Sequence, residues 1–230
     1  MASTYNYTQN RDEIITGALR LVGAIGQGET PNATQILEAA DTLNLLVKSW
    51  EANLGLPVWS IRPFEFTPVP GQGAYNTTTD LLLNYRPLEI TELVSRNQTN
   101  NDVPLNRISR SGWFYLNNKQ SQGYPNQFFY DLQTDYGILH LWPVPVDATQ
   151  KIVMYLRLPF ADFDTATDVP DFPQEWIRAL KYGLACDLCD EYGVPIKRSA
   201  YLNNKLQTII DETENIFTED ASIYFGKARN

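Results

Sequence analysis

The sequence predicts an α+β protein: a helical bundle from N- and C-terminal helical hairpins, with a mostly antiparallel β domain inserted between them. Three observations carry this reading. Apolar residues recur at helical spacing at both ends of the chain. Pro and Gly punctuate the middle, between short runs rich in aromatic and β-branched residues. A single amphipathic hairpin cannot bury both its faces, so the two terminal hairpins are expected to pack together. The expected bounds are 1–57 and 170–216 for the bundle, 58–169 for the inserted β-rich domain, and 217–230 for a C-terminal arm.

The first helix is expected over Asp12–Val22, where Ile14, Ile15, Ala18, Leu19 and Val22 form one stripe. Asn10 followed by Glu13 is a capping-box start, and Gly23 and Gly26 stop the helix. In the second helix Thr30 is the expected cap, with Pro31 at the first helical position, where its missing N–H does no harm. Ile36, Ala39, Ala40, Leu43, Val47, Trp50 and Leu54 share its buried face, and Gly55 and Pro57 end it.

In the middle, Phe128–Tyr130 and Ile138–Trp142 flank Thr134–Gly137 and read as a hairpin. Ile152, Met154, Leu156 and Leu158 alternate with Val153, Tyr155 and Arg157, a half-buried strand pattern. Shorter strands are expected near Ser60–Thr67 and Leu88–Ser95. The many prolines assign these segments to edges and short strands. Near the end, Asp171 with Gln174 is the expected cap of a third helix, with Pro173 in its first turn. Trp176, Ile177, Leu180, Leu184 and Leu188 are its stripe. A fourth helix is expected over Lys197–Ile216, on Leu202, Leu206, Ile209, Ile210 and Ile216.

Composition narrows the function. The 230 residues are 43% hydrophobic and 20% charged, ordinary for a globular chain. A chain of this length buries enough surface to need no metal or disulfide staple. Net charge is −9, from 27 acidic and 18 basic residues without a dense Lys/Arg cluster. Sequence-specific nucleic-acid binding, which calls for a basic stripe, is therefore not expected. No apolar run approaches the ~18 residues of a membrane span, and no signal-peptide pattern opens the chain. No membrane association and no cofactor are expected.

Five features of the sequence bear on chemistry. Cys186-Asp187-Leu188-Cys189 has C-x-x-C spacing, but Cys186 lies about four turns into a helix rather than at its N-terminus. Two ordinary helical cysteines is the preferred reading. His140, the only histidine, sits mid-strand with no G-x-S-x-G in the chain. Val69-Pro70-Gly71-Gln72-Gly73 lacks the Lys-Ser/Thr of a phosphate loop and reads as a turn. Asp162/Asp164 and Asp168/Asp171 fit neither a calcium loop nor a defined catalytic pair, and read as linker acids. The crowded aromatics Trp113, Phe114, Tyr115, Tyr124, Phe128, Phe129, Tyr130 and Tyr136 serve either packing or exposed stacking on sugars or partners. No catalytic, cofactor or metal residues are assigned, and no enzyme activity is expected.

Ordered segments along the chain carry a resemblance. They begin with Arg11, Ala18-Leu19-Arg20-Leu21-Val22-Gly23, Gly28-Glu29-Thr30-Pro31, Leu43 to Trp50, and Pro57-Val58-Trp59. They continue with Pro70-Gly71-Gln72-Gly73-Ala74-Tyr75, Arg86-Pro87-Leu88-Glu89-Ile90, Gly123-Tyr124-Pro125 and Leu141-Trp142-Pro143-Val144-Pro145. They close with Phe172-Pro173-Gln174-Glu175-Trp176, Leu184-Ala185 and Glu191-Tyr192-Gly193-Val194-Pro195. In this order they resemble the head-to-tail adaptors of tailed, short-tailed in particular, bacteriophages, of the tail tubular protein A and packaged-DNA-stabilising type.

The resemblance implies a structural virion protein at the head–tail junction, made in the host bacterial cytoplasm. It implies a homo-oligomeric ring, usually a dodecamer, beneath the portal protein. Such a ring extends the DNA channel, lets double-stranded DNA pass without sequence-specific binding, and docks a tail nozzle or tail-tube protein, and tail fibres. It also implies that the C-terminal segment reaches along the portal. The arm's apolar knot Ile223, Tyr224 and Phe225 and its basic end Lys227 and Arg229 are then the candidate partner interface. The alternative is a carbohydrate-binding or carbohydrate-cleaving tail component that uses the aromatic β domain, with Tyr124 or Trp113 as platforms.

Overall fold

The structure is a computed structural model that describes residues 7–53 and 60–217. It has helices together with sheets that are mostly antiparallel, an α+β fold. The chain divides into two compact units, Met1–Pro57 with Phe160–Asn230, and Val58–Pro159.

In the first unit α1 spans Arg11–Val22 and α2 Ala33–Asn53. The cap of α1 is reciprocal. Asn10 Oδ1 accepts from Glu13 N at 2.9 Å, and Glu13 Oε2 accepts from Asn10 N at 3.0 Å. Gly23 closes it in the left-handed region at φ 83°. The cap of α2 is a correction. Asn32, not Thr30, is the capping residue: its Oδ1 accepts from Gln35 N at 2.9 Å while Gln35 Oε1 accepts from Asn32 N at 3.0 Å. Asn-x-x-Gln satisfies two orphan donors at once, which a lone Thr two residues earlier cannot do.

The helix α4, Ile177–Glu191, is preceded by a 3₁₀ turn over Gln174–Trp176. Here too the cap differs from expectation. Pro173 occupies the N-cap position of that turn with no side-chain cap, so Asp171 does not serve. The Gln174 Oε1 instead accepts from Tyr7 N at 3.1 Å. The last helix, α5, covers Ile196–Phe217.

Helix α4 packs against α1, α2 and α5, and α1 also packs on α2. Most of α4 is accordingly buried, including Ile177, Ala179, Leu180, Gly183, Leu184, Ala185, Leu188 and Cys189. Gly183 permits the approach of α2: a Cβ there would stand 2.8 Å from Trp50 Cζ2 and 3.0 Å from Leu46 Cδ2. Trp50 meets Trp176 edge-on at 6.0 Å.

The segment from Phe160 to Asp168 belongs to this unit. Phe160 and Phe163 are buried. Their backbone N–H groups donate to Glu51 Oε2 and Asn44 Oδ1 on α2, at 3.3 and 2.9 Å. The Asp168 carbonyl accepts from Arg11 N at 2.8 Å.

The second unit holds two four-stranded sheets. One has the order β1-β10-β3-β4: β1 (Ile61–Phe66), β3 (Glu89–Arg96), β4 (Asp102–Pro104) and β10 (Lys151–Arg157), all antiparallel. The other has the order β2-β8-β7-β5: β2 (Ala74–Asn76), β5 (Asn106–Arg107), β7 (Gln127–Leu132) and β8 (Gly137–Trp142). Strands β7 and β8 form the expected hairpin, while β5 lies parallel to β7. A separate parallel ladder joins β6 (Gln122–Gly123) to β9 (Val144–Pro145).

Pro63 and Pro104 fall on the edge strands β1 and β4, where a missing donor breaks no ladder. Ile90, Leu93, Ile152, Met154 and Leu156 from one sheet share a core with Tyr75, Phe128, Tyr130, Leu139 and Leu141 from the other. Each fully buried chain of this kind contributes about 1.5–3 kcal/mol. On β7 and β8 the alternation leaves Phe129 and His140 on the opposite face from that core, where the short helix α3 (Arg110–Phe114) packs against β7.

Candidate functional site

The arm residues Ile223, Tyr224, Phe225, Lys227 and Arg229 lie outside the described residues. The other candidates resolve into packing, turns and surface.

The single histidine is a packed residue. His140 stacks on Phe129 at 5.7 Å, with Trp113 of α3 at 4.7 Å. Burial pushes its pKa below the usual histidine value, with Asp131 opposing. Asp131 is itself engaged by the Arg110 guanidinium. Burial thus favours the neutral ring. The cysteines are packing residues too. Cys189 is buried and donates from Sγ to the Ala185 carbonyl at 3.1 Å. Burial first, then the nearby Cys189 and Asp187, push the Cys186 thiol up to about 12. Such a shift disfavours the thiolate, the nucleophilic form of cysteine.

Gly71 takes φ 81°, and Gln72 N donates to the Val69 carbonyl at 3.1 Å, closing a tight turn. Tyr75 fixes it: its hydroxyl donates to the Gln72 carbonyl at 2.8 Å and accepts from Val69 N at 3.0 Å. Of the acids, Asp162 pairs with Lys48 at 3.0 Å. Asp168 accepts from Thr165 N and Oγ1, which hold its carboxyl below the usual range. Asp171 is exposed. Among the described residues no His/Cys/Asp/Glu group is arranged to hold a metal ion.

The aromatic stretch divides. Phe128, Phe129 and Tyr130 are buried. Trp113 stacks on Phe129 at 6.2 Å, with Lys119 Nζ 5.9 Å from its ring centroid. Its neighbours Phe114 and Tyr115 are 74% and 76% exposed and meet edge-to-face at 5.6 Å. Tyr124 is exposed and donates to Asp147 Oδ2 at 3.0 Å. Nearby is a polar cleft of about 330 Å³ lined by residues including Glu65, Arg96, Asn97, Gln98, Thr149 and Lys151. Its charges are already paired, Lys151 with Glu65 at 2.9 Å and Arg96 with Asp102 at 2.7 Å.

The helical unit carries surfaces that the sequence reading did not single out. On α2, Leu37 and Leu45 are 67% and 72% exposed, with Asp41 exposed between them. On α5, Tyr201 is 55% exposed, and the Arg198 guanidinium lies 5.5 Å from its ring centroid. The available signal was that Leu37 and Leu45 fall off the stripe that runs from Ile36 to Trp50.

Residues 9–223 match the SU10 adaptor protein family. The chain belongs to that family. No curated protein matches it. The family agrees with the resemblance to bacteriophage head-to-tail adaptors and makes the chain a structural virion component that associates with portal and tail proteins. In this adaptor no helix among the described residues is long and apolar enough to cross a membrane.

Proposed function

We propose that this chain forms the ring between the portal and the tail of a bacteriophage virion, as the connector of a short-tailed phage. In this reading the helical segments, arranged as paired hairpins, make the ring body. The inserted β domain faces the tail, the arm at 217–230 reaches along the portal, and the ring has twelve copies. It extends the DNA channel and docks the tail nozzle or tail-tube protein. The carrying observation is the family match across residues 9–223. The net charge of −9 supports it, because a lumen around moving DNA without basic clusters adds little phosphate drag.

The test mixes the purified full chain with the portal ring of the same genome and images the product by electron microscopy. The expected result is one new annular layer, coaxial with the portal, with a continuous central channel. An intact portal with no added layer would overturn the reading.

A further inference from the structure

The helical unit carries two surface stripes of opposite charge, exposed except for the half-buried Lys205, and we propose that they are the two halves of a head-to-tail contact between copies of this chain. The inference rests on the ring reading and names the surfaces that such a ring uses.

On α2, Leu37, Asp41 and Leu45 follow at intervals of four residues and are all exposed. Glu38 lies beside Asp41, and no base occurs on α2 before Lys48. On α5, Lys197, Tyr201 and Lys205 follow at the same interval, and no acid occurs between Ile196 and Ile210. Among the described residues Glu38, Asp41, Lys197 and Lys205 form no ion pair. One stripe is thus an acid between two leucines, and the other an aromatic ring between two lysines.

Rows spaced by four residues interlock as ridges into grooves. Tyr201 of one copy lies in the groove beside the Leu37–Asp41–Leu45 row of the next, and its flanking lysines come beside Glu38 and Asp41. Contact removes three large side chains from water, and the opposite charges set the register. Neither stripe suits its own kind, since acid would meet acid and base would meet base. A contact of one stripe with the other joins different surfaces of the two copies, and made once per neighbouring pair it is heterologous, the type that closes into a ring. Both stripes also begin at the same end of the unit. Tyr192 at the close of α4 lies near Gln35 and Glu38 at the start of α2, and α5 begins at Ile196 directly after. Lateral neighbours in a ring need their two faces at one height.

The test uses two full-length variants with opposite reversals, E38K/D41K on α2 and K197E/K205E on α5. Each is mixed with the portal ring, alone and then together, and the added layer is imaged. Each variant alone carries like charges on both stripes and should assemble at least about tenfold less than the natural chain. The equimolar mixture restores every contact in an alternating ring and should recover the layer. Recovery also shows that both variants are folded. If either variant alone assembles like the natural chain, the inference is overturned and the ring reading stands. If both fail and the mixture fails as well, the stripes do not meet each other and the inference is overturned. If the natural chain adds no layer, the ring reading itself falls and takes the inference with it.

Discussion

The ring of Tyr130 occupies the space where a side chain on Gly137 would stand. Tyr130 is buried on β7, its hydroxyl donates to the Pro87 carbonyl at 2.8 Å, and burial pushes its pKa up to about 12. An aromatic ring laid over a strand glycine pins the register of the β7–β8 hairpin. Gly137→Ala should therefore destabilise the protein by about 1–3 kcal/mol through overpacking. Tyr130→Phe, which keeps the ring, should cost about 1 kcal/mol for the lost hydrogen bond. Thermal unfolding measures both, and an alanine variant that melts like the natural chain would contradict the geometry.

A second glycine acts between helices. A Cβ on Gly183 would stand 2.8 Å from Trp50 Cζ2, closer than real Cβ atoms approach, and tightly against Leu46 Cδ2 at 3.0 Å. Gly183→Ala should cost about 1–3 kcal/mol, because the indole is also held by Trp176. Gly17→Ala is the contrast. The nearest obstacle there is the aliphatic part of the flexible Lys181 side chain, so the same substitution should cost clearly less. Denaturant midpoints of the two variants decide it.

The cap of α2 can be assigned by substitution. Asn32→Ala should lower stability by about 1 kcal/mol, while Thr30→Ala should stay within about 0.5 kcal/mol of the natural chain. Equal effects at the two positions would refute the reciprocal Asn32–Gln35 cap.

His140 makes stability depend on pH. Its folded pKa is depressed by burial, so the unfolded chain binds its proton more readily than the folded one. Its contribution is intact above the unfolded value near pH ~6.5. It falls as pH drops below that value and levels off below the depressed folded value. The difference in melting temperature between the natural chain and His140→Gln should shift against the natural chain between about pH 7.5 and pH 5.5. A difference that is flat across that window would show the ring to be unperturbed.

Local chemistry was legible in the sequence, and choices between neighbours were not. Asn10 with Glu13 is a complete cap within four residues and needs no tertiary context. At the second helix Thr30-Pro31 and Asn32 with Gln35 are both plausible caps, and only backbone geometry selects one. The hairpin and the alternation of β10 follow from period-two patterning, whereas the parallel partnership of β5 with β7 joins two-residue strands that carry no pattern. Helix α3 is too short to show periodicity. Phe160 and Phe163 fall within 58–169, the expected β-rich domain, yet each anchors on α2. The exposed stripes were hidden for a different reason. A leucine outside the core looks like one inside it until the facing element is known.

Ile61 on β1 pairs with Arg157 on β10, and Leu158 N donates to the Ser60 carbonyl at 2.9 Å. The chain thus sets out on its long excursion and comes back along neighbouring rungs of one ladder, about 5 Å apart. A unit whose first and last strands lie on adjacent rungs can change in length or sequence between them without moving its own two ends apart.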